Sequence, residues 1–326
     1  MIIDQFNRVH DYLRISMTDM CNLRCFYCMP QEDYDFTPAS RLMQEDEIFE
    51  IAKIFVENGV KKIRLTGGEP FVRKDAGRII KSLSSLPVQL AVTTNGTRLH
   101  EFEDVLHTSQ IHSINISLDT LDREKYKFIT RRDVFDLVKK NIDSFIEKDF
   151  KVKINVVVMK DFNENEINDF IGWTKNVSVH VRFIEFMPFE GNQWTSNKVV
   201  SMDEILRTIE TQFQFSDEKG EKNDTEKKYT IAGHKGSFGI ISTMTKPFCE
   251  SCNRMRLTAD GKLKNCLFSN GETDLLTAFR RGENILPLIN QNIKSKAKEL
   301  GGQFTSNLQK VEAGLIHNRS MITIGG

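Results

Sequence analysis

The chain has 326 residues, with 45 Lys plus Arg against 45 Asp plus Glu, so its formal net charge is zero. A neutral chain carries no global field toward nucleic acid or an anionic membrane, and any anion-binding surface must be local. The most apolar stretches, such as 156–159, are strand-length and far too short to cross a bilayer. Residues 1–10 lack the basic segment and apolar core of a signal peptide. A cytoplasmic protein is expected, with neither nucleic acid nor a membrane as partner.

Runs of strand composition fall at 12–18, 62–66, 88–94, 113–118, 152–158 and 179–186. Helical segments lie between them, for example at 44–58, 135–148 and 164–175, with Asp or Glu near several starts and Gly59 as a stop signal. Six strand–helix alternations predict a parallel α/β architecture, most simply a partial (β/α)6 TIM-like barrel. Near residue 215 the character changes. Residues 216–228 are dense in charge and read as a solvated linker or long loop, while 236–245 reads as a strand. The stretch 286–326 has weak periodicity and is assigned little structure. The expected organisation is a barrel over 1–215 and a C-terminal domain over 216–326.

Side chains alternate faces along a strand. At 13–18, 62–66, 113–119 and 151–155, one parity is apolar and the other polar or basic. In the last strand His180 and Arg182 share one parity, and Val181 and Phe183 take the other. A half-solvated antiparallel sheet alternates in the same way. Crossover helices, however, force parallel strands with both faces covered. The polar parity is therefore read as lining the lumen, where a barrel packed for stability alone would hold branched apolar side chains.

Six cysteines fall into two groups of three, a clustering that favours metal ligation over disulfides. Cys21, Cys25 and Cys28 form C-x3-C-x2-C directly after the first expected strand, where α/β sheets place their active sites. Three thiolates are one short of a closed four-iron cluster or a structural zinc, which leaves an iron open to a small molecule. A zinc completed by a distant residue is the bland alternative. Tyr27, just before the third cysteine, is placed either to stack on a flat cofactor or simply to pack. The triplet with this aromatic resembles the signature of the radical S-adenosylmethionine superfamily. That resemblance implies a [4Fe-4S] cluster whose open iron chelates S-adenosylmethionine, and cleavage of the sulfonium to a 5′-deoxyadenosyl radical. Thr66-Gly67-Gly68-Glu69-Pro70 resembles the GGEP motif, whose glycines let the backbone approach the methionine amine. Ser117 resembles the ribose-contacting position.

Cys249, Cys252 and Cys266 form C-x2-C-x13-C, again three thiols. This is either a structural zinc with a fourth ligand such as His234, or a second four-iron cluster open to substrate. Arg254 and Arg256 follow at i and i+2, on one side of an extended strand. Arg suits phosphate and purine acceptor edges. In order and spacing, from about residue 13 onward, the motifs resemble those of the GTP 3′,8-cyclase family of molybdenum cofactor biosynthesis.

The resemblance implies two [4Fe-4S] clusters, the second in a C-terminal domain that closes the open side of the barrel. It implies S-adenosylmethionine contacts from Tyr27, Gly68, Ser117 and Met187. It implies GTP contacts from Arg14, Lys62, Arg64, Thr93, Lys153, Arg182, Arg254 and Arg256, with Arg14 as a catalytic hydrogen-bond or proton donor near the ribose. The implied product is 3′,8-cyclo-7,8-dihydro-GTP, made by C3′ hydrogen abstraction and attack on guanine C8. An external one-electron donor, a downstream cyclic pyranopterin monophosphate synthase and a homodimer are the implied partners. The Gly325-Gly326 tail is implied to enter the active site. The barrel cations among these residues lie on the polar parity already assigned to the lumen. Two other readings share part of the pattern. A peptide-modifying two-cluster radical enzyme usually carries more C-terminal cysteines, and a non-catalytic GTP-binding metal regulator would need neither GGEP nor a polar lumen.

Overall fold

The computed structural model describes residues 1–30, 34–305, 307, 311 and 316–325. The first half alternates β1 (Tyr12–Ser16), α1 (Glu45–Glu57), β2 (Lys62–Thr66), α2 (Ala76–Leu83), β3 (Gln89–Thr94), α3 (Glu103–Thr108), β4 (Ser113–Ser117), α4 (Arg123–Thr130), α5 (Phe135–Glu147), β5 (Lys151–Val158), α6 (Ile167–Trp173), β6 (His180–Glu185) and α7 (Met202–Glu210). The second half adds β7 (Ser216–Glu218), β8 (Lys227–Thr230), β9 (Ser237–Ile241), β10 (Arg254–Leu257), β11 (Lys262–Lys264), β12 (Thr273–Asp274), α8 (Leu275–Arg280), α9 (Leu286–Lys294) and α10 (Met321–Ile324).

All twelve strands join one sheet, ordered β12-β11-β10-β1-β2-β3-β4-β5-β6-β9-β8-β7. The run from β10 through β1–β6 to β9 is parallel throughout. Each strand of that run contributes its apolar parity to a single core. Leu13, Ile15, Ile63, Leu65, Ile114, Ile154, Phe183 and Met255 meet Phe55, Ile79, Phe145, Phe170 and Ile205 from the covering helices, all fully buried. The opposite parity faces inward. Arg14, Lys62, Thr93, Asn115, Lys153, Arg182, Ile241 and Arg256, one from each of the eight parallel strands, line the same cavity, so the sheet must curl around it.

Strands β9 and β10 extend opposite edges of the β1–β6 sheet, beside β6 and β1. The connection between them, residues 242–253, therefore runs from one edge to the other and carries Cys249 and Cys252. Glu185 fixes this return. Its buried carboxylate accepts from the backbone N–H of Met202 at 3.0 Å, Met244 at 2.7 Å and Thr245 at 2.9 Å, and from the Thr245 hydroxyl.

Three expectations need correction. Residues 216–228 are a loop only in part. Residues 216–223 are exposed as expected, but the segment belongs to the antiparallel β7–β8 hairpin on β9, and Glu226 is buried against Lys153 at 3.4 Å, His180 at 3.0 Å and Arg182 at 3.7 Å. That one acid is matched by cations of β5 and β6 instead of by water. The stretch 286–326 carries α9 and α10. Helix α9 is only nine residues long with Pro287 in its first turn, and of its three buried residues only Ile289 and Ile293 are apolar, which leaves little periodic signal. His234, the candidate fourth ligand, hydrogen-bonds Thr174 and packs edge-on against Phe213.

Glu185→Ala removes a charged acceptor from four donors, and a loss of at least ~3 kcal/mol in urea-unfolding stability is expected. Glu226 gives a pH signature. Burial alone would raise its carboxyl, but the His180 hydrogen bond and the charges of Arg182 and Lys153 hold it at about 2, below its ordinary 4.5. The stabilisation is therefore full above about pH 4.5 and is lost as pH falls toward 2, worth up to about 3 kcal/mol. Acid unfolding of Glu226→Gln should lack that component; a profile parallel to wild type would contradict the assignment.

Candidate active site

The loop after β1 carries the first cysteine triplet and packs backbone to backbone on the loop after β2. Gly68 N–H donates to Thr18 O at 2.7 Å and Glu69 N–H to Met20 O at 2.8 Å. A Cβ on Gly68 would lie 2.3 Å from Met20 O, so only glycine allows this approach. Glu69 then ties both loops to β3. Its fully buried carboxylate accepts from Phe71 N, from Thr94 Oγ1 at 2.7 Å and from Asn95 N at 2.6 Å, while burial raises it to about 7. Asn95 Nδ2 points at Cys21 Sγ, 3.7 Å away, and Leu23 N–H donates to the same sulfur at 3.4 Å.

The triplet's donor chemistry fits a metal cluster. Burial, and next the neighbouring thiols, push Cys25 well above the ordinary thiol range, and burial with Cys21 pushes Cys28 up to about 12. Thiols this close stay protonated unless a cation joins them, and a bound iron cluster supplies one. The Tyr27 hydroxyl donates to Asp119 Oδ2 at 2.6 Å, and Asp119 Oδ1 accepts from Val157 N at 2.9 Å, which pins the aromatic of the triplet to the ends of β4 and β5. Ser117 ends β4, half-buried and opposite Asn155. Met187 follows β6 and lines the central cavity.

That cavity, about 280 Å³, is lined by all eight expected GTP contacts: Arg14, Lys62, Arg64, Thr93, Lys153, Arg182, Arg254 and Arg256. Parallel register sets Arg14 directly between Arg64 on β2 and Arg256 on β10. Burial, and next repulsion from Arg256, drive Arg14 well below the usual guanidinium range. Burial likewise lowers Arg256 to about 10, with Arg254 adding to the shift. Arg64 donates to Tyr12 OH at 2.6 Å and to Val92 O at 2.9 Å. Burial alone would raise the Tyr12 phenol, but Arg64, Arg14 and Lys62 bring it down to about 7. Arg14 Nε, Asn115 Oδ1, Asn155 Oδ1, and Arg182 Nε and Nη2 are buried without a hydrogen-bond partner. The orphaned guanidinium donors, in a cavity of mutually repelling cations, fit a polyanionic ligand, and the two amide oxygens are acceptors left for its donor groups.

The second triplet borders the same cavity through Cys249, Cys252 and Cys266. Burial would raise Cys252, but Arg254 and Lys296 outweigh it and bring it to about 6. Lys296 Nζ donates to its sulfur at 3.3 Å, and Leu300 N–H donates to Cys249 Sγ at 3.5 Å. One apolar cluster built on Met159, Phe186, Trp194, Met244 and Phe268 contacts Phe26, Tyr27 and Met187 as well as Cys249 and Cys266, so it joins the surroundings of the two triplets. The tail reaches the same place. Gly325 O accepts from Arg256 Nη1 at 2.6 Å, and a Cβ on Gly325 would lie 2.8 Å from Thr66 Oγ1 and 2.9 Å from Ser16 Cβ. Gly326 lies outside the described residues.

Sequence reasoning did not single out Tyr12, Asn115, Asn155, Glu226 or Lys296. The first three share the inward parity of Arg14, Ser117 and Lys153, so the alternation was a usable signal for them. Glu226 and Lys296 had none, because their partners are brought together only by the fold.

Residues 15–174 match the Radical SAM superfamily and residues 179–301 match the Molybdenum Cofactor Synthesis C family. The chain is 44% identical over 333 residues to the mitochondrial GTP 3′,8-cyclase of Arabidopsis thaliana, covering 100% of this chain and 84% of that one. It is 40% identical to the GTP 3′,8-cyclase of Thermodesulfovibrio yellowstonii, covering 99% of each. With molybdenum cofactor biosynthesis protein 1 of Dictyostelium discoideum it shares 42% identity over all of this chain but 52% of that protein, and it spans about half the length of several relatives so named. Streptococcus suis SuiB bound to S-adenosylmethionine has the same fold, with a TM-score of 0.61 at 17% identity over 97% of this chain and 77% of that one. Sequence identity across nearly its whole length, with both family matches in order, establishes that this chain belongs to the GTP 3′,8-cyclase family of the radical SAM superfamily.

Proposed function

We propose that the protein converts GTP to 3′,8-cyclo-7,8-dihydro-GTP, the first step of molybdenum cofactor biosynthesis. The observation that carries this reading is the cavity. Eight cationic or polar residues from β1, β2, β3, β5, β6 and β10 converge on it, and the second cysteine triplet borders the same space. Cys21, Cys25 and Cys28 would hold a [4Fe-4S] cluster that, with S-adenosylmethionine, would supply the radical chemistry for abstraction of the C3′ hydrogen; closure of the C3′–C8 bond then takes up one electron and one proton to give the 7,8-dihydro product.

The chain's own residues orient and isolate the reacting groups. Tyr27, Gly68, Ser117 and Met187 are the proposed contacts to S-adenosylmethionine. Tyr27 is braced by Asp119, and Gly68 leaves backbone rather than side chain at the surface of its loop. Lys62, Arg64, Thr93, Lys153 and Arg182 are proposed to hold the triphosphate, which needs several cations once it leaves water. Arg254 and Arg256, beside Cys249, Cys252 and Cys266, are proposed to bind the purine end. Those three thiols are the proposed ligands of a second [4Fe-4S] cluster open to substrate. Arg14, buried between Arg64 and Arg256, has its proton affinity lowered by burial and by their charge. It is the proposed hydrogen-bond or proton donor to the ribose region. The apolar cluster joining the two sites keeps water from a radical held near one hydrogen only.

No helix among the described residues is long and apolar enough to cross a membrane. Six free thiols in two ligand sets suit a reducing compartment, and the cytoplasm is the proposed location. An external one-electron donor, a synthase consuming the product and a homodimer complete the proposal, as does a barrel over 1–215 with a C-terminal unit over 216–326.

Anaerobically reconstituted protein given S-adenosylmethionine, GTP and a strong reductant should release 5′-deoxyadenosine and the cyclised nucleotide. Absence of 5′-deoxyadenosine would sink the radical reading; its formation only with another nucleotide or a peptide would sink the substrate. Arg256→Ala should weaken GTP binding by roughly tenfold or more, as expected for a lost charge-assisted bond. Uncoupled cleavage of S-adenosylmethionine should be largely retained; equal loss of both would contradict a substrate contact.

A further inference from the structure

The second cysteine triplet is supported from behind by the chain's first residues, which lie outside the matched region 15–174. Ile3 pairs antiparallel with Val9 and makes residues 2–10 a tight hairpin. Asp4 knots it, accepting from Arg8 Nε at 2.6 Å with His10 Nε2 at 3.1 Å. The Arg8 guanidinium then reaches over and donates to three carbonyls: Cys249 at 2.7 Å, Lys298 at 2.8 Å and Ala297 at 3.0 Å. The Gln5 amide donates to the carbonyl of Lys296 at 2.9 Å. The hairpin thus clamps backbone 296–298 and the backbone of Cys249 together.

What the clamp holds in place is Lys296. Its side chain is buried, with the residue 2% exposed. Its ammonium donates to Cys252 Sγ at 3.3 Å and Arg254 O at 3.0 Å, so both of its described hydrogen bonds go to the cysteine segment. The neighbouring His10 is 1% exposed, and burial, followed by the charge of Lys296, lowers it to about 4, so this imidazole is neutral near pH 7. A buried lysine is expensive unless a negative group answers it. Here the sulfur at 3.3 Å is that group.

A four-iron core with three thiolates is anionic, and reduction adds one more negative charge. Hydrogen bonds to its sulfurs and nearby charge set the potential at which this happens. We propose that Lys296, locked by the N-terminal hairpin, is a positioning residue for the second cluster, where its ammonium holds the Cys252 thiolate and raises the reduction potential. The inference rests on reading Cys249, Cys252 and Cys266 as cluster ligands.

The test uses the full-length chain with Cys21, Cys25 and Cys28 all changed to Ala, so that only the second site is read. Reconstituted protein with Lys296 intact should hold about four irons. If it holds none, the cluster reading itself fails, independently of Lys296. In a redox titration followed by electron paramagnetic resonance, Lys296→Met should shift the midpoint to a more negative potential, and Lys296→Arg should restore it toward wild type. Loss of iron in Lys296→Met but not in Lys296→Arg would equally support a required charge. An unchanged midpoint in Lys296→Met would overturn the proposal. So would the same defect in both variants, since that would mark a role of shape alone.

Discussion

The structure turns on a row of like charges. Parallel register brings Arg256, Arg14 and Arg64 side by side on three adjacent strands, with side chains on the inner face of the curl. Like charges opposite one another on a sheet repel, and the low dielectric of a buried cavity strengthens the repulsion. Oxygen acceptors answer part of it: Tyr12 and Val92 for Arg64, and Gly325 for Arg256. Among the described residues the deeply buried carboxylate at the cavity, Glu226, is engaged on the far side by Lys153, His180 and Arg182. The β1–β2–β10 side therefore gathers cations without a buried carboxylate among the described residues. The strands tolerate this because their other parity, Leu13, Ile15, Ile63, Leu65, Met255 and Leu257, is packed without exposure against the helices.

The same economy governs the ends of the strands. Catalysis by a carbon radical needs a place where water is scarce and donors are fixed. The apolar cluster supplies the first condition by contacting Tyr27 at one triplet and Cys249 at the other. Side chains buried behind the loops supply the second. Glu69 fixes the loop beside Cys21, Glu185 fixes the connection that carries Cys249 and Cys252, and Lys296 fixes Cys252 itself. In each case a buried charged group answers donors or acceptors from segments far apart in the chain.

Much of this was legible in the amino-acid order, because its periodicity is local. The six core strands form within a residue or two of their expected limits, and the polar parity does face the lumen. The cysteine triplets and Arg254 and Arg256 are likewise written in short spacings. Long-range pairings were not legible. Glu226 looks like one acid among many in a charged stretch, and only the return of β8 onto β9 buries it against β5 and β6. Helix α9 was missed because nine residues with a proline in the first turn carry too little pattern. Lys296 and Arg8 are ordinary surface residues by type; the fold makes them internal by placing residues 2–10 against 296–298.

A fold shared with SuiB at 17% identity does not by itself specify a substrate. One solved SuiB structure holds a precursor peptide. The cavity here is about 280 Å³ and is walled by cations from β1, β2, β5, β6 and β10. A neutral peptide would leave Arg14 and its neighbours on β2 and β10 unanswered, at a desolvation cost that its own contacts would have to offset. A compact polyanion with a flat polar ring, the proposed substrate, would offset that cost directly. On that proposal the selectivity follows from where the cations sit, and parallel register sets three of them side by side on β10, β1 and β2.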